Sequence, residues 1–208
     1  KIGDEVTANS ITVPSIRKNI SSPSFVLPSA DGTSGQAIIT DASGNLSFGD
    51  AGGGKVLQVV STRKNDSFSR SSNSYAVVTG LTADITPSAT SSKVLIMVSA
   101  PYSGTNSAGN LTLFKDGSNL VDAAKDSSSL GNRTGSFFQN GNPESGADEQ
   151  MNPMTYTFLD SPNSTSSLTY DVRAKSSGTI RVNNNNNPDN ISGRPCSVST
   201  ITLFEIGE

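Results

Sequence analysis

Groups able to do covalent chemistry are scarce in this chain. It has no histidine and a single cysteine, Cys196. A Ser-His-Asp relay, a Cys-His pair and a histidine-bearing zinc site are therefore excluded. What remains is carboxylate chemistry. Glu144, Asp148 and Glu149 lie close together in one polar stretch, and Asp122 and Asp126 in another; paired acids of this kind serve glycan-cleaving sites. The same acids, with Asp189, offer oxygen ligands to calcium, but their spacing matches no calcium-loop motif. Acidic residues in polar loops are ordinarily solvated, so no catalytic residue, no metal ligand and no cofactor is assigned. The segment "GDAGGGK", ending at Lys55, has the GxxxxGK part of a phosphate loop. Val56 stands where the motif requires Ser or Thr, and a strand follows where it requires a helix, so the segment reads as a linker.

Non-covalent chemistry is better provided for. In "RVNNNNNPDNISGRPC" five asparagines, Asn183 to Asn187, interrupt a strand-like pattern. Asparagine is a poor strand former whose amide competes for nearby backbone groups, so the tract predicts a loop. Each amide offers two donors and an acceptor, which suits sugar hydroxyls. Tyr102 and the pair Phe137-Phe138 offer apolar faces for a sugar ring; the alternative for the two phenylalanines is the core. The N-glycosylation sequons at Asn65, Asn110, Asn132 and Asn190 are close to chance in so Asn-, Ser- and Thr-rich a chain.

The elements that must position these residues read as short strands. From residue 55 onward, strand-like segments recur at 55–62, 75–79, 83–86, 93–100, 110–115, 119–124, 154–160, 168–175, 179–182 and 197–206. Each is bounded by turn residues, and none shows a long helical period. In "LTLFKDG", Leu111 and Leu113 share one side and Thr112 and Phe114 the other; Lys115-Asp116-Gly117-Ser118 is a hairpin turn. In "STITLFEIG" both faces carry apolar residues, as for a strand inside a sandwich or against a partner subunit. This pattern predicts an all-β sandwich. Residues 1–54 differ. Pro14, Pro23 and Pro28 punctuate them, and the apolar pieces around Phe25, Ile38 and Phe48 are too short for a self-sufficient sheet. They are expected to form an extended stalk in which several copies bury each other's apolar residues, joined through Gly52-Gly53-Gly54 to a head at 55–208.

Composition agrees with an assembly. Of 208 residues, 33% are hydrophobic, 6% aromatic and none is Trp, which is lean for a self-sufficient core. Only 16% are charged, with a net charge of -3, so the self-repulsion of a disordered chain is absent and oligomerisation is the favoured outcome. A pI near 5.0 without a basic stripe argues against nucleic acid. No apolar run reaches bilayer length and no signal-peptide pattern opens the chain, so no membrane insertion is expected. Cys196 is expected to be a small buried hydrophobe.

The stretches "KVLQVVST", "SYAVVTGLTADITPSATSSKVLIMVSAPYSG", "LTLFKDGS" and "STITLFEIG" resemble the C-terminal domain of tail-fibre and other appendage proteins of marine tailed phages, cyanophages especially. "LPSADGTSGQAIITDASGNLSFG" resembles a turn-rich unit that often precedes such domains. The resemblance implies a jelly-roll of the TNF/C1q kind, a parallel homotrimer on an intertwined fibrous segment, and a location on the virion. It also implies partners: other appendage proteins for the N-terminal segment, and host-surface glycan or protein for the head. A purely structural decorating or capping role is the alternative. If successive strands reverse direction, the longest polar loops gather at the end of the sandwich away from Lys55. The candidate receptor-binding residues on them are Tyr102, Asn106, Asn132, Arg133, Asn140, Asn142, Asn183, Asn184, Asn185, Asn186, Asn187, Asp189, Asn190 and Arg194. The placement turns on residues 176–178: if they form a turn and 179–182 a separate strand, the count moves the asparagine tract to the other end.

Overall fold

Alternation of apolar residues decides which strands form and which way they face. The computed structural model describes residues 15–16, 25–26, 28–50, 55–105, 109–139, 151–185 and 196–207, and its strand ladders are antiparallel. The chain divides into two units, Lys1–Gly53 and Gly54–Glu208.

In the first unit, β1 (Ser15–Ile16) pairs with β2 (Phe25–Val26), and β3 (Gln36–Thr40) with β4 (Leu46–Asp50). Asp41 makes the β3–β4 turn: its carboxylate accepts from the backbone of Ser43 and Asn45 and from the Asn45 amide. The Asn45 amide, followed by those backbone groups, holds the Asp41 carboxyl below the usual carboxylate range. Ile38 and Ile39 of this hairpin are exposed.

The second unit is a sandwich. One sheet has the order β13-β8-β16-β5, with β5 Val56–Lys64, β8 Lys93–Ser99, β13 Thr155–Asp160 and β16 Ser199–Ile206. The facing sheet runs β10-β14-β7, with β7 Ala76–Ile85, β10 Asn110–Lys115 and β14 Leu168–Lys175. The free edge of β10 is covered by β11 (Ser118–Asn119) and β12 (Phe138–Gln139). Strands alternate between the two sheets along the chain. The core lies between them: Val78, Leu81, Ile96, Leu113, Tyr170 and Leu203 are wholly buried.

Two segments differ from the sequence reading. The pieces 75–79 and 83–86 are one strand, because Gly80 adopts φ 87° and the pairing with β14 shifts between Asp171 and Arg173. Glycine here makes a bulge inside a strand rather than a break between two. The stretch 119–124, read as a strand, is helix α1 (Leu120–Ala124): the Asn119 side chain accepts from Asp122 N at 3.0 Å and caps it. A second short helix, α2 (Ser127–Leu130), is capped by Asp126. The hairpin turn at Asp116-Gly117 has positive φ at both positions, 48° and 83°, as a tight two-residue hairpin requires. Cys196 is exposed rather than buried, since it precedes the first paired residue of β16.

Charge enters the sandwich interior at defined points. Glu205 of β16 is 1% exposed and faces inward. Its carboxylate accepts from Ser88 N and Oγ (both 2.6 Å), Ser92 Oγ (2.7 Å) and Gln58 Nε2 (2.7 Å). These bonds close the 86–92 turn onto β16 and β5. Asp160 accepts from Lys115 Nζ (2.8 Å) and from the buried Tyr170 hydroxyl (2.7 Å), joining the two sheets near the end that carries Lys55.

Burial alone would raise the Glu205 carboxyl; the bonds from Ser88, Gln58 and Ser92 outweigh it and bring the group from 4.5 down to about 2. A depressed folded value gives stability that is complete above the unfolded value and lost as pH falls through the folded one. Acid titration by circular dichroism is therefore expected to show stability falling from pH 4.5 towards 2. Glu205→Gln places an amide donor among donors; urea melts at pH 7 are expected to show a loss of about 2–3 kcal/mol and a flattened dependence over that acid range.

Candidate functional site

At the end of the sandwich away from Lys55, three connections must pass between the sheets across the mouth of the core. Each passes as a strand. β6 (Phe68–Arg70) carries the chain from β5 to β7, β9 (Tyr102–Thr105) from β8 to β10, and β15 (Thr179–Val182) from β14 to β16. They form a third sheet in the order β6-β15-β9, so their backbone groups stay bonded over an apolar interior. Phe68, Ile180 and Val182 face inward and join the core.

This cap settles where the asparagine tract begins. Residues 176–178 do form a turn, with Ser176 N donating to Ser72 O at 2.7 Å, and β15 is a separate strand. The tract still opens at the end away from Lys55, because β15 crosses the cap instead of running back along the sandwich. Asn183 follows it with φ 64°. Its amide donates to the carbonyls of Lys64 and Asp66 (both 3.0 Å), and its oxygen accepts from Ser199 Oγ at 2.6 Å. Its backbone N–H donates to Pro101 O. Its side chain thus ties the ends of β5 and β16, and its backbone N–H holds the segment that follows β8.

The candidate residues therefore separate. Asn183 and Asn185 are each 3% exposed and Tyr102 9%: all three belong to the frame of the cap, and Tyr102 lies in the core cluster rather than offering a face for a sugar ring. Tyr102, expected on a polar loop, instead lies in β9, which carries it inward across the cap. Asn184 is half-buried, its carbonyl accepting from Ser103 Oγ and its amide oxygen from Asn185 N. Asn132 and Arg133 are exposed but belong to a flank: residues 118–139 run beside the β10 edge from one end of the sandwich to the other. There Val121, Leu130, Arg133 and Ser136 line a hollow of about 220 Å³. Asn106, Asn140, Asn142, Asn186, Asn187, Asp189, Asn190 and Arg194 lie outside the described residues. Phe137 packs against the core and stacks on Tyr156 at 4.6 Å between ring centroids.

The carboxylates are equally divided. Asp122 accepts from Lys125 Nζ (2.7 Å) and Gly135 N (2.8 Å), and Asp126 from Ser128 and Ser129. Lys125 and Gly135 hold the Asp122 carboxyl below its usual range, and Ser128 with Ser129 does the same for Asp126. A general acid needs the opposite shift; these two carboxylates pin local backbone. Glu144, Asp148 and Glu149 lie outside the described residues. Among the described residues no cluster of three or more His, Cys, Asp or Glu side chains is placed to hold a metal, and no helix is long and apolar enough to cross a membrane.

Comparison with known proteins is sparse. No family model matches the chain, and no curated protein matches it. Among solved structures it is similar to infectious bursal virus derived T=1 particles, with TM-score 0.34, 11% identity, and 78% of this chain and 38% of that one covered. It is also similar to infectious bursal disease virus Gx strain, with TM-score 0.35, 14% identity, and 82% and 43% covered. The chain spans less than half the length of both, and such scores assign neither fold nor function. The division of the asparagines is open to direct measurement. Asn183→Ala removes three side-chain bonds at a left-handed residue and is expected to cost about 3 kcal/mol in urea unfolding. Asn184→Ala is expected to cost less than about 1 kcal/mol.

Proposed function

We propose that the chain is a homotrimeric appendage protein of a tailed-phage virion, its head binding host-surface glycan or protein and its N-terminal segment attaching to other appendage proteins. The observation that carries the assembly is the outer face of the β13-β8-β16-β5 sheet. Leu159, Leu95, Phe204 and Val59 stand in cross-strand register and make an apolar row across all four strands. Leu159 and Val59 are 53% and 55% exposed. The next row is Thr157, Met97, Thr202 and Ser61. Beside it Met97, Thr157, Thr202 and Phe204 line a hollow of about 300 Å³. Among the outward positions only Lys93 and Arg63, near opposite ends, are charged.

A face with both protruding aliphatics and a hollow is suited to burial against other copies of the chain. Four strands roughly 4.8 Å apart, each with about seven residues at roughly 3.4 Å, give a face of about 19 by 24 Å. That is about 460 Å² in projection, a little over half of the ~800 Å² per partner that stable interfaces bury. Three-fold symmetry and the virion location come from the resemblance to phage appendage domains. The end away from Lys55 supports adhesion, because loops from both sheets gather there. The structural alternative is favoured by Asn183, whose side-chain polar atoms are committed to the frame, and by the burial of Tyr102 and Asn185.

Light scattering is expected to give three times the 21.5 kDa chain mass; a monomer at micromolar concentration would remove the reading. Val59→Glu with Leu159→Glu, both at exposed sites, should weaken assembly roughly a hundredfold while the circular dichroism stays unchanged. Adsorption of the purified protein to host cells separates the two functional readings: no adsorption, with particles lacking the protein still attaching, would leave only the structural one.

A further inference from the structure

Cations that are partly or wholly buried in the second unit follow a rule, with one exception among the described residues. Lys64 bonds Asp66, Lys115 bonds Asp160, Lys125 bonds Asp122 and Arg173 bonds Asp171. Arg70 donates to Ser74 O and Oγ, and Lys175 lies over the Tyr75 ring at 4.6 Å. Arg181 is half-buried like several of these. Its Nη1 is shut off from solvent and hydrogen-bonded to nothing, and the guanidinium has no ion pair.

Its position sharpens the anomaly. Arg181 is the one residue of β15, the central cap strand, lying between the inward-facing Ile180 and Val182. It therefore points to the outer side of the cap, at the end away from Lys55. In register beside it are Ser69 on β6 and Ser103 on β9. The Ser103 hydroxyl is spent on Asn184 O. No carboxylate among the described residues answers the charge. A strand that needed only to close the sandwich would be served better here by threonine or valine, which desolvate no charge. An Nη1 left unsatisfied at such a place calls for a partner that the described residues do not supply.

We propose that Arg181 is the anchoring residue of an oxyanion-binding site on the outer side of the cap, taking the anionic group of an acidic saccharide. The planar fork matches a carboxylate or sulfate with two parallel N–H donors, which a lysine cannot reproduce. Ser69, exposed and in register with Arg181 on β6, offers a hydroxyl on the same face of the cap. The inference deepens the adhesion reading and rests on it for the saccharide that carries the anion.

The test uses the whole chain in its native assembly, with melting temperatures measured in sodium glucuronate, sulfate or phosphate against chloride at equal ionic strength. Wild type is expected to gain about 3 °C in the matching oxyanion, and the three salts distinguish carboxylate, sulfate and phosphate sources. Arg181→Met should lose the gain and melt in chloride no lower than wild type. Retention on a polyuronate surface, set against neutral dextran, should fall at least tenfold in the same variant. An equal gain in Arg181→Met, or no gain in wild type with any of the three anions, overturns the proposal. Should Arg181→Met not fold, Arg181→Lys decides: less than half the wild-type gain supports the fork, and an undiminished gain overturns it. An oxyanion response without adsorption to host cells would remove the adhesion reading and leave the site. Adsorption without any oxyanion response would remove the site and leave that reading.

Discussion

A sandwich can close its end only if the chain crossing between the sheets keeps its peptide groups bonded where water is excluded. Here that constraint is met by pairing the crossings with one another. β15 lies between β6 and β9, so three separate connections satisfy each other's backbone while Phe68, Ile180 and Val182 seal the interior. Asn183 then fixes this lid to the walls. Its amide and oxygen reach the ends of β5 and β16, and its left-handed backbone turns the chain out of β15. The registry of the whole end follows from one asparagine at a position where its short amide and its tolerance of positive φ are both used.

The opposite end is closed by charge. Glu205 sits inside a β-sandwich with no ion pair among the described residues, its charge spread over four donors from Ser88, Ser92 and Gln58. Asp160 is reached by a lysine and a tyrosine from the facing sheet. Both arrangements convert a desolvation cost into specificity of closure, because each oxygen is aimed at a particular turn or strand. The two ends are thus held by different means. Backbone pairing governs the one where loops gather, and buried carboxylates govern the one that carries Lys55.

Between the ends, the two faces of the β13-β8-β16-β5 sheet explain the lean composition. The inner face is a dense aliphatic core, and the outer face repeats the apolar character in the row from Leu159 to Val59. A monomer gains nothing from that second row, which would otherwise be a liability in water. The proposed self-association would give it a use, and would relieve the chain of building a larger interior from so few apolar residues.

The sequence by itself determined the all-β class, the positions of the long strands and the tight turns. Those depend on period-two alternation and on local Asp, Gly and Asn chemistry, which neighbouring residues carry among themselves. The Asp116-Gly117 hairpin and the Asp41 turn were legible for that reason. Gly80 was misread because a bulge and a strand break look alike until the partner strand is known. The helix at 120–124 was missed because its cap, Asn119, also ends a short strand. The site was less legible still. Tyr102 and Asn183 look like loop residues in the chain and become frame residues only when β9 and β15 cross the cap. Arg181 carries no local signal at all, since an Nη1 without a partner among the described residues is a property of everything folded around it. Which polar groups are spent inside and which remain for a ligand was decided by tertiary structure, because hydrogen-bond partners more than a hundred residues apart, such as Asn183 and Lys64, meet only when the sheets close.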